Sequence, residues 1–241
     1  MSENTIYKHQ DYQVRSNDPY ALAKYRVVLR WLPQADHLTV LNAGCGSGEM
    51  NALLARNRSW HIDAIDTDPD AVTRSLALKA DMNLMNVQIS QNSIEDFRPQ
   101  HLYDLIVCND VIEHISDDAQ ALARLTALLR PGGRLYITVP ALQWLFGYHD
   151  TMLGHFRRYN RRRLTARVTP YARVTRCRYF GFTLIPIAVL YSRWLKRAYP
   201  VGKQGKGSLP GAILLFLLRI EEHIALPSGT SLILMAEKPL S

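Results

Sequence analysis

The sequence is poor in cysteine, with three among 241 residues, and it has no uninterrupted apolar run of the ~18 residues that cross a bilayer as a helix. So few cysteines, odd in number, do not build a disulfide framework, and this favours a reducing compartment. Residues 1–11 carry mixed charge and lack the apolar core of a signal peptide. We therefore expect a cytoplasmic protein that does not span a membrane.

Acidic residues are absent from residues 151–206, although the whole chain contains 21 of them. The same stretch is rich in arginine and includes the adjacent pair Arg157 and Arg158, which suits forked binding of a phosphate or carboxylate. Because charge of one sign destabilises a fold unless an anion offsets it, we expect an anionic partner. The candidates are a phosphorylated substrate, acidic lipid headgroups and RNA, and the alternative is a solvated surface.

A short apolar run, a glycine-rich turn and a helical segment form the unit around which the rest of the sequence is organised. Residues 38–41 predict a buried strand, and residues 50–58 predict the helix. Between them lie Gly44, Gly46 and Gly48, which let bare backbone approach a small cofactor because glycine has no Cβ. The third glycine comes one residue too early for a dinucleotide fingerprint, and no P-loop lysine follows. The turn therefore favours a ligand with little phosphate.

An acidic residue follows the turn at the distance expected for binding a ribose. Residues 61–66 predict a second strand, which ends at Asp66. This is the offset of about 20 residues at which a carboxylate binds ribose hydroxyls. The turn and the carboxylate together predict a nucleoside cofactor.

At these residues the chain resembles the class I S-adenosylmethionine-dependent methyltransferases. Residues 42–48 and 64–69 resemble their first two motifs, and residues 103–115 and 129–140 resemble the motifs of their fourth and fifth strands. The resemblance implies S-adenosyl-L-methionine as the cofactor. The cofactor-binding residues that it implies are Asn42, Ala43, Gly44, Cys45, Gly46, Gly48, Asp66, Thr67, Ser93, Ile94, Asn109 and Asp110. Two of them depart from the family pattern, which usually has acidic residues at the positions of Asn42 and Ser93.

Strands and helices alternate over residues 38–139, which predicts an α/β fold with a doubly wound parallel sheet. The resemblance implies a Rossmann-like, seven-stranded and mostly parallel sheet, with helices on both faces, a helical C-terminal insertion and an antiparallel last strand. We expect one methyltransferase domain over residues 1–241. Its parts are an N-terminal helical cap (1–35), a cofactor-binding core (36–140), a substrate-side basic and apolar region (141–230) and a final strand (231–241), of which residues 231–237 form the strand.

Two apolar stretches lie in the basic part of the sequence, at residues 182–195 and 212–220, on either side of a basic loop at 201–208. Each stretch is too short to span a bilayer. The flanking tryptophan and cations suit a helix that lies in a membrane interface. The alternative, which we favour slightly, is a helical hairpin that lines the substrate pocket or forms a homodimer interface.

Three histidines are candidates for a general base. His149 and His155 lie in a polar and aromatic loop after the fifth strand, and His114 follows the fourth strand. Methyl transfer to a hydroxyl needs alignment of the reactants above all, and a base helps. We rank His155 first, then His149 and His114, with Asp110 or Asp150 to orient one of them. No metal ligands are assigned.

Two motifs that the sequence lacks narrow the class of possible methyl acceptors. Neither the Asn/Asp-Pro-Pro-aromatic sequence of base amino-group methylation nor the Pro-Cys nucleophile of pyrimidine methylation is present. The pair Glu113 and His114 resembles the branch that methylates oxygen or carbon of quinones and small molecules. We therefore expect O-methylation, by in-line transfer, of a small-molecule or lipid-linked acceptor with anionic character. The alternatives are an RNA methyltransferase, with nucleic acid the less favoured partner, and a non-catalytic cofactor-binding scaffold peripheral to the inner membrane surface.

Overall fold

The computed structural model describes residues 18–195 and 209–240, without the side chains of residues 192, 193 and 209–211. Seven strands form one sheet in the order β3-β2-β1-β4-β5-β7-β6. Strands β1 to β5 pair in parallel, and β7 runs antiparallel to both β5 and β6. The strands are β1 (Thr39–Ala43), β2 (His61–Asp66), β3 (Val87–Gln91), β4 (Tyr103–Asn109), β5 (Leu129–Pro140), β6 (Arg173–Phe180) and β7 (Ser231–Glu237). The expected seven-stranded sheet and its antiparallel last strand are confirmed.

Helices connect the parallel strands and extend the region after β5. The helices are α1 (Pro19–Trp31), α2 (Glu49–Leu54), α3 (Pro69–Asp81), α4 (Asp118–Ala127), α5 (Tyr148–Leu153), α6 (Arg161–Val168), α7 (Ile185–Val189) and α8 (Leu209–Glu221). A π-helical turn (Leu190–Leu195) follows α7. Short 3₁₀ turns lie at Ile112–His114, Gln143–Leu145 and Phe182–Leu184. Aspartates begin several of these helices; the Asp18 side chain, for example, accepts from the N–H of Tyr20 at 3.0 Å.

The central strands bury both faces because their side chains alternate between two apolar layers. Leu41 and Ile106 face the layer that contains α4, while Val40 and Leu105 face the layer that contains α1. This explains why β1 and β4 are almost continuously apolar in sequence. The carboxyl ends of these parallel strands meet at one edge of the sheet, where the glycine turn also lies.

Two local expectations were wrong. The first helix after the turn, expected over 50–58, ends at Leu54. The sequence predicts strand five over 135–139, after Pro131-Gly132-Gly133 ends a helix. The strand instead begins at Leu129, because a register shift against β4 lets Pro131 lie where no ladder hydrogen bond is required.

The sequence also predicts helix α1, with apolar positions at Leu22, Tyr25, Val28, Leu29 and Leu32. Val28 and Leu32 are buried, and Tyr25 and Leu29 pack against the same apolar layer. The helix also buries Ala23, Lys24 and Val27, which the pattern did not include.

Two glutamates at the end of α8 hold that helix against the rest of the fold. Glu221 is 3% exposed and accepts from the backbone N–H groups of Gly181 at 2.8 Å, Phe182 at 2.9 Å and Thr183 at 2.8 Å. Glu222 pairs with two arginines of α1, Arg26 and Arg30. The helix was expected as an apolar stretch only. Its carboxylates now explain how it is attached.

Within residues 18–195 and 209–240, no helix is both long enough and apolar enough to cross a bilayer. Residues 1–17 of the predicted N-terminal cap and the basic loop at 201–208 lie outside the described residues.

We predict that Glu221→Ala lowers the free energy of unfolding by about 3 kcal/mol, because it leaves three backbone N–H groups without their acceptor. Glu237→Ala is the control. It removes only exposed pairs with Arg134 and Arg173 and should lower that free energy by less than ~1 kcal/mol. Urea unfolding followed by circular dichroism measures both. Equal losses in the two variants would contradict the anchoring role.

Candidate active site

The glycine turn after β1 is packed tightly against its own chain. Gly44, Gly46 and Gly48 have left-handed φ angles of 75°, 53° and 97°. A Cβ on Gly44 would lie 2.2 Å from a methyl group of Val111, and one on Gly48 would lie 2.7 Å from the Ser75 hydroxyl. At these two positions glycine is therefore required by neighbouring side chains and by backbone conformation, whatever the turn binds.

Asp66 holds this turn from the end of β2. Its Oδ2 accepts from the N–H of Gly46 at 2.8 Å, and its Oδ1 accepts from the N–H of Asp68 at 3.0 Å. Each carboxylate oxygen retains a second lone pair, which is what a ribose diol requires. Burial raises the pKa of Asp66, and the hydrogen bonds from the backbone N–H groups offset part of that rise.

Asn42, the first of the residues expected to bind the cofactor, lies in the protein interior. Asn42 is 1% exposed and donates from Nδ2 to Oδ1 of Asn51 at 2.7 Å, and Asn51 donates to the Ser75 hydroxyl at 3.0 Å. In this structure the Asn42 amide thus joins β1 to α2 and α3. Ala43 and Cys45 are also buried in the apolar layers. Contacts of these three residues with a cofactor remain predictions.

The residues expected near an adenine lie along the loops after β2 and β3. Thr67 is exposed, and its carbonyl accepts from the Gln91 side chain at 3.2 Å. Ser93 exchanges hydrogen bonds with Asp96: its hydroxyl donates to the carboxylate at 2.8 Å and accepts from the N–H at 2.9 Å. Ile94 is 5% exposed and packs in the same layer as β4. Their role in cofactor binding also remains a prediction.

Asn109 lies at the carboxyl end of β4, at the expected site. Its side chain is 8% exposed, and within residues 18–195 and 209–240 neither its amide nitrogen nor its amide oxygen has a hydrogen-bond partner. Buried amides are seldom left in this state, so the unmet donor and acceptor make Asn109 a candidate for contact with a polar ligand. Together with the Asp66 carboxylate, they fit a nucleoside cofactor.

A buried lysine, which the sequence analysis missed, reaches this edge from α1. Lys24 is 3% exposed and forms an ion pair with Asp110. Asp110 has a left-handed φ of 53° and also accepts from the Thr138 hydroxyl at 3.2 Å. Burial lowers the pKa of Lys24, but Asp110, together with Tyr20 and Tyr25, outweighs it and the pKa is raised. The available signal was the position of Lys24 one turn before Val27 and Val28, on their side of the helix.

The top-ranked histidine is held by a buried carboxylate. Asp150 is fully buried, and its Oδ1 lies 2.9 Å from Nδ1 of His155 and accepts from Nε of Arg158 at 2.7 Å. Burial raises the pKa of Asp150, but His155 and Arg158 outweigh it and hold the pKa below its ordinary value. With the proton on Nδ1, Nε2 of His155 is the basic nitrogen. The arrangement is suited to general-base chemistry.

Of the other two candidate bases, His114 contacts the ring of His155, whereas His149 lies outside this cluster. The ring of His114 meets that of His155 edge-on, with centroids 4.5 Å apart, and Glu113 is fully buried next to His114. Glu113, His114 and His155 bring one ligand atom each to within 4.8 Å of the others, so they could also hold a divalent cation. His149 lies on α5, beside Asp150 in sequence, and is not part of this cluster.

The expected arginine clamp is wrong. Arg157 donates to the Ser116 carbonyl at 2.7 Å and lies 3.1 Å from the buried carboxylate of Asp118, and Arg158 binds Asp150. Both guanidinium groups are therefore engaged by the protein itself. The sequence could not show this, because Asp118 lies about forty positions away on α4.

The chain is similar to known methyltransferases in sequence and in structure. Residues 14–185 match the family model described as a methyltransferase domain. The ubiquinone biosynthesis O-methyltransferase of Aeromonas salmonicida is 34% identical over 101 residues, which are 41% of this chain and 42% of that protein. The chain thus spans less than half the length of the curated relatives it matches.

Two solved structures share the fold. A SAM-dependent methyltransferase from Aquifex aeolicus aligns with a TM-score of 0.62 at 16% identity, over 99% of this chain and 100% of that one. The N-methyltransferase NodS from Bradyrhizobium japonicum, in complex with S-adenosyl-L-homocysteine, aligns with a TM-score of 0.61 at 14% identity, over 92% and 89%. At these identities the likeness concerns the fold alone.

We predict that Asp66→Asn weakens binding of S-adenosyl-L-homocysteine at least tenfold, because one oxygen that accepts ribose hydroxyls becomes a donor. Wild-type affinity should also fall on acidification, as Asp66 takes up a proton at its raised pKa, and the variant should lack this dependence. Isothermal titration calorimetry measures both effects.

The control for this prediction is Asp68→Asn, two residues further on. Asp68 caps α3 by accepting from the N–H of Asp70 at 3.0 Å, and asparagine caps equally well. Its affinity should stay within about twofold of wild type. Unchanged affinity in Asp66→Asn would remove the ribose assignment.

Proposed function

The chain belongs to the methyltransferase-domain family, and we propose that it methylates a hydroxyl group of a small-molecule or lipid-linked acceptor, with S-adenosyl-L-methionine as the methyl donor. The partial match to ubiquinone O-methyltransferases supports this choice of acceptor class. The observation that carries it is the pair Asp150–His155, a buried carboxylate on an imidazole that contacts His114 in the turn after β4. Amino-group methylation has less need of such a base, whereas a hydroxyl must lose its proton.

Each side chain at the edge has a distinct task in this mechanism. Asp66 binds the ribose hydroxyls, and the Asn109 amide takes part in polar contacts that its own chain does not supply. When bound, S-adenosyl-L-methionine supplies a methyl group already activated on a sulfonium. His155 accepts the proton of the acceptor hydroxyl at Nε2. Asp150 orients the ring and stabilises the imidazolium that forms.

Access to the site is limited by α1. Lys24 fixes this helix to Asp110 at the end of β4, so the helix covers the edge where the reaction would take place. The cover excludes water and holds the acceptor in line with the methyl group, and alignment of this kind gives effective molarities of about 10⁵ M or more. The predicted cap role of the N-terminal helix thus gains a physical basis.

RNA is the weaker alternative because much of the basic stretch is internally satisfied. Arg157 and Arg167 pair with Asp118, Arg158 pairs with Asp150, and Arg178 donates to backbone carbonyls near the end of α8. These cations are engaged by this chain's own acceptors. Fewer of them are available for a phosphate backbone than the sequence indicated.

We predict that His155→Gln lowers kcat by about 100-fold and leaves the affinity for S-adenosyl-L-homocysteine unchanged, because the base acts in the transition state. Transfer of labelled methyl groups into a fractionated lysate measures turnover, and calorimetry measures affinity. His223→Gln, in which the histidine pairs with Arg30 far from the site, is the control.

Two results would contradict this role. Wild-type turnover in His155→Gln would remove His155 as the base. Loss of wild-type activity on treatment with a chelator, restored by a divalent cation, would assign Glu113, His114 and His155 to a metal instead.

The same labelling experiment tests the proposed acceptor class. Label in RNA would favour an RNA methyltransferase, and label in no fraction would favour a non-catalytic scaffold.

We also propose that the protein contacts the inner surface of the cytoplasmic membrane peripherally, where a lipid-linked acceptor would be found. The π-helical turn and α8 expose large apolar side chains: Trp194 is 80% exposed, Phe216 63% and Ile213 51%. Exposed aromatic and aliphatic groups beside cations are typical of interfacial binding to anionic lipid. A homodimer interface over the same surface is the alternative.

We predict that Trp194→Ser combined with Phe216→Ser lowers co-sedimentation with phosphatidylglycerol vesicles at least fivefold, because it removes the most exposed apolar groups of this surface. Trp144→Ser is the control, because Trp144 is 53% exposed in the turn after β5. A change from dimer to monomer in light scattering, with vesicle binding intact, would support the dimer interface and contradict membrane contact.

A further inference from the structure

A second cluster of ionisable side chains lies at the opposite edge of the sheet from Asp66. His61 begins β2, Asp63 follows two residues later on the same side of the strand, and His101 lies just before β4. Nε2 of His61 is 3.4 Å from Oδ1 of Asp63, and Nε2 of His101 is 3.4 Å from Oδ2. One carboxylate therefore faces two imidazoles.

These separations fit ligands that share one metal ion. Two ligands of a tetrahedral zinc ion, at 2.0–2.1 Å each, lie about 3.3–3.4 Å apart. The three ligand atoms all lie within 4.8 Å of one another. Nε2 of His101 is buried and, in the described part of the chain, makes no hydrogen bond, although Asp63 is so near. The ring is thus aimed at the carboxylate without the geometry of a hydrogen bond.

Neighbouring groups hold the cluster in this arrangement. The Tyr103 hydroxyl donates to Oδ2 of Asp63 at 2.6 Å, so the carboxylate has a fixed orientation. The His101 ring packs edge-on against Tyr103 at 4.8 Å and against His61 at 5.8 Å. Hydrogen bonds of this kind to a ligating carboxylate are the usual support of metal sites.

We propose that His61, Asp63 and His101 bind a divalent transition-metal ion, with Zn²⁺ the best match. Two imidazoles and one carboxylate suit zinc, whereas Mg²⁺ and Ca²⁺ prefer oxygen ligands. The side chains of His61 and His101 are 42% and 35% exposed, so the cluster is accessible to solvent, from which the ion and a fourth ligand water would come.

Bound zinc would act on stability, and the methyl-transfer chemistry would not involve it. The ion would join the start of β2 to the segment that enters β4, two strands that are separated in the sheet by β1. A ligand that binds the folded state alone stabilises it, so saturating zinc should raise the melting temperature by about 5 °C or more.

The test is titration of the metal-free, full-length protein with Zn²⁺ in competition with a chromogenic chelator. His101→Gln and His61→Gln should each weaken zinc binding at least 30-fold and abolish the rise in melting temperature. Tyr103→Phe, which keeps the ring and removes only the donor to Asp63, should weaken binding about tenfold.

Two controls separate this site from the rest of the protein. His37→Asn removes an exposed histidine outside the cluster, at a left-handed position that asparagine tolerates, and should bind zinc as wild type does. His155→Gln removes a ligand of the cluster at the other edge and should keep the zinc ion assigned here.

Three outcomes would overturn the proposal. One is a wild-type protein that binds no zinc at 100-fold molar excess. Another is zinc binding that is lost in His155→Gln and retained in His101→Gln, which would place the ion at the candidate active site. Retention of wild-type affinity in folded His61→Gln and His101→Gln would equally leave the pair of histidines as partners of Asp63 alone.

Discussion

The ion pair between the buried Lys24 and the partly buried Asp110 is the interaction on which the candidate site depends. A charge taken out of water is tolerated only when an opposite charge meets it, and removal of one member of a buried pair typically costs about 3–5 kcal/mol. The pair fixes the first helix over the end of β4, beside Asn109. The position of this helix is thus set by the ion pair together with the apolar packing of Ala23, Val27 and Val28.

Local sequence patterns were sufficient to predict several strands and the glycine turn. The predicted bounds of β2 and β7 agree with the structure, and the glycine turn follows from its composition. They were predictable because a buried strand and a left-handed turn each require particular residue types at neighbouring positions. Strand β5 was predicted too short, since its continuation past Pro131 depends on a bulge against β4 that no local pattern reveals.

Long-range pairing of charges was beyond the reach of the sequence. Asp118 and Asp150 take the guanidinium groups that were expected to meet a substrate, and Lys24 finds Asp110 across 86 positions. His149 and His155 lie in the same predicted loop, and the sequence pattern did not separate them; in the structure His155 contacts Asp150. A one-dimensional pattern gives residue types, but the partner of a buried charge is decided by the fold.

The attachment of α8 to α1 has a mechanical consequence. Glu222 forms ion pairs with both Arg26 and Arg30. These two arginines and Lys24 all lie on α1. A displacement of one helix would therefore act on the other through these pairs. If a ligand on α8 changes the affinity for the cofactor in this way, thermodynamic reciprocity requires that the cofactor change the affinity for that ligand by the same factor.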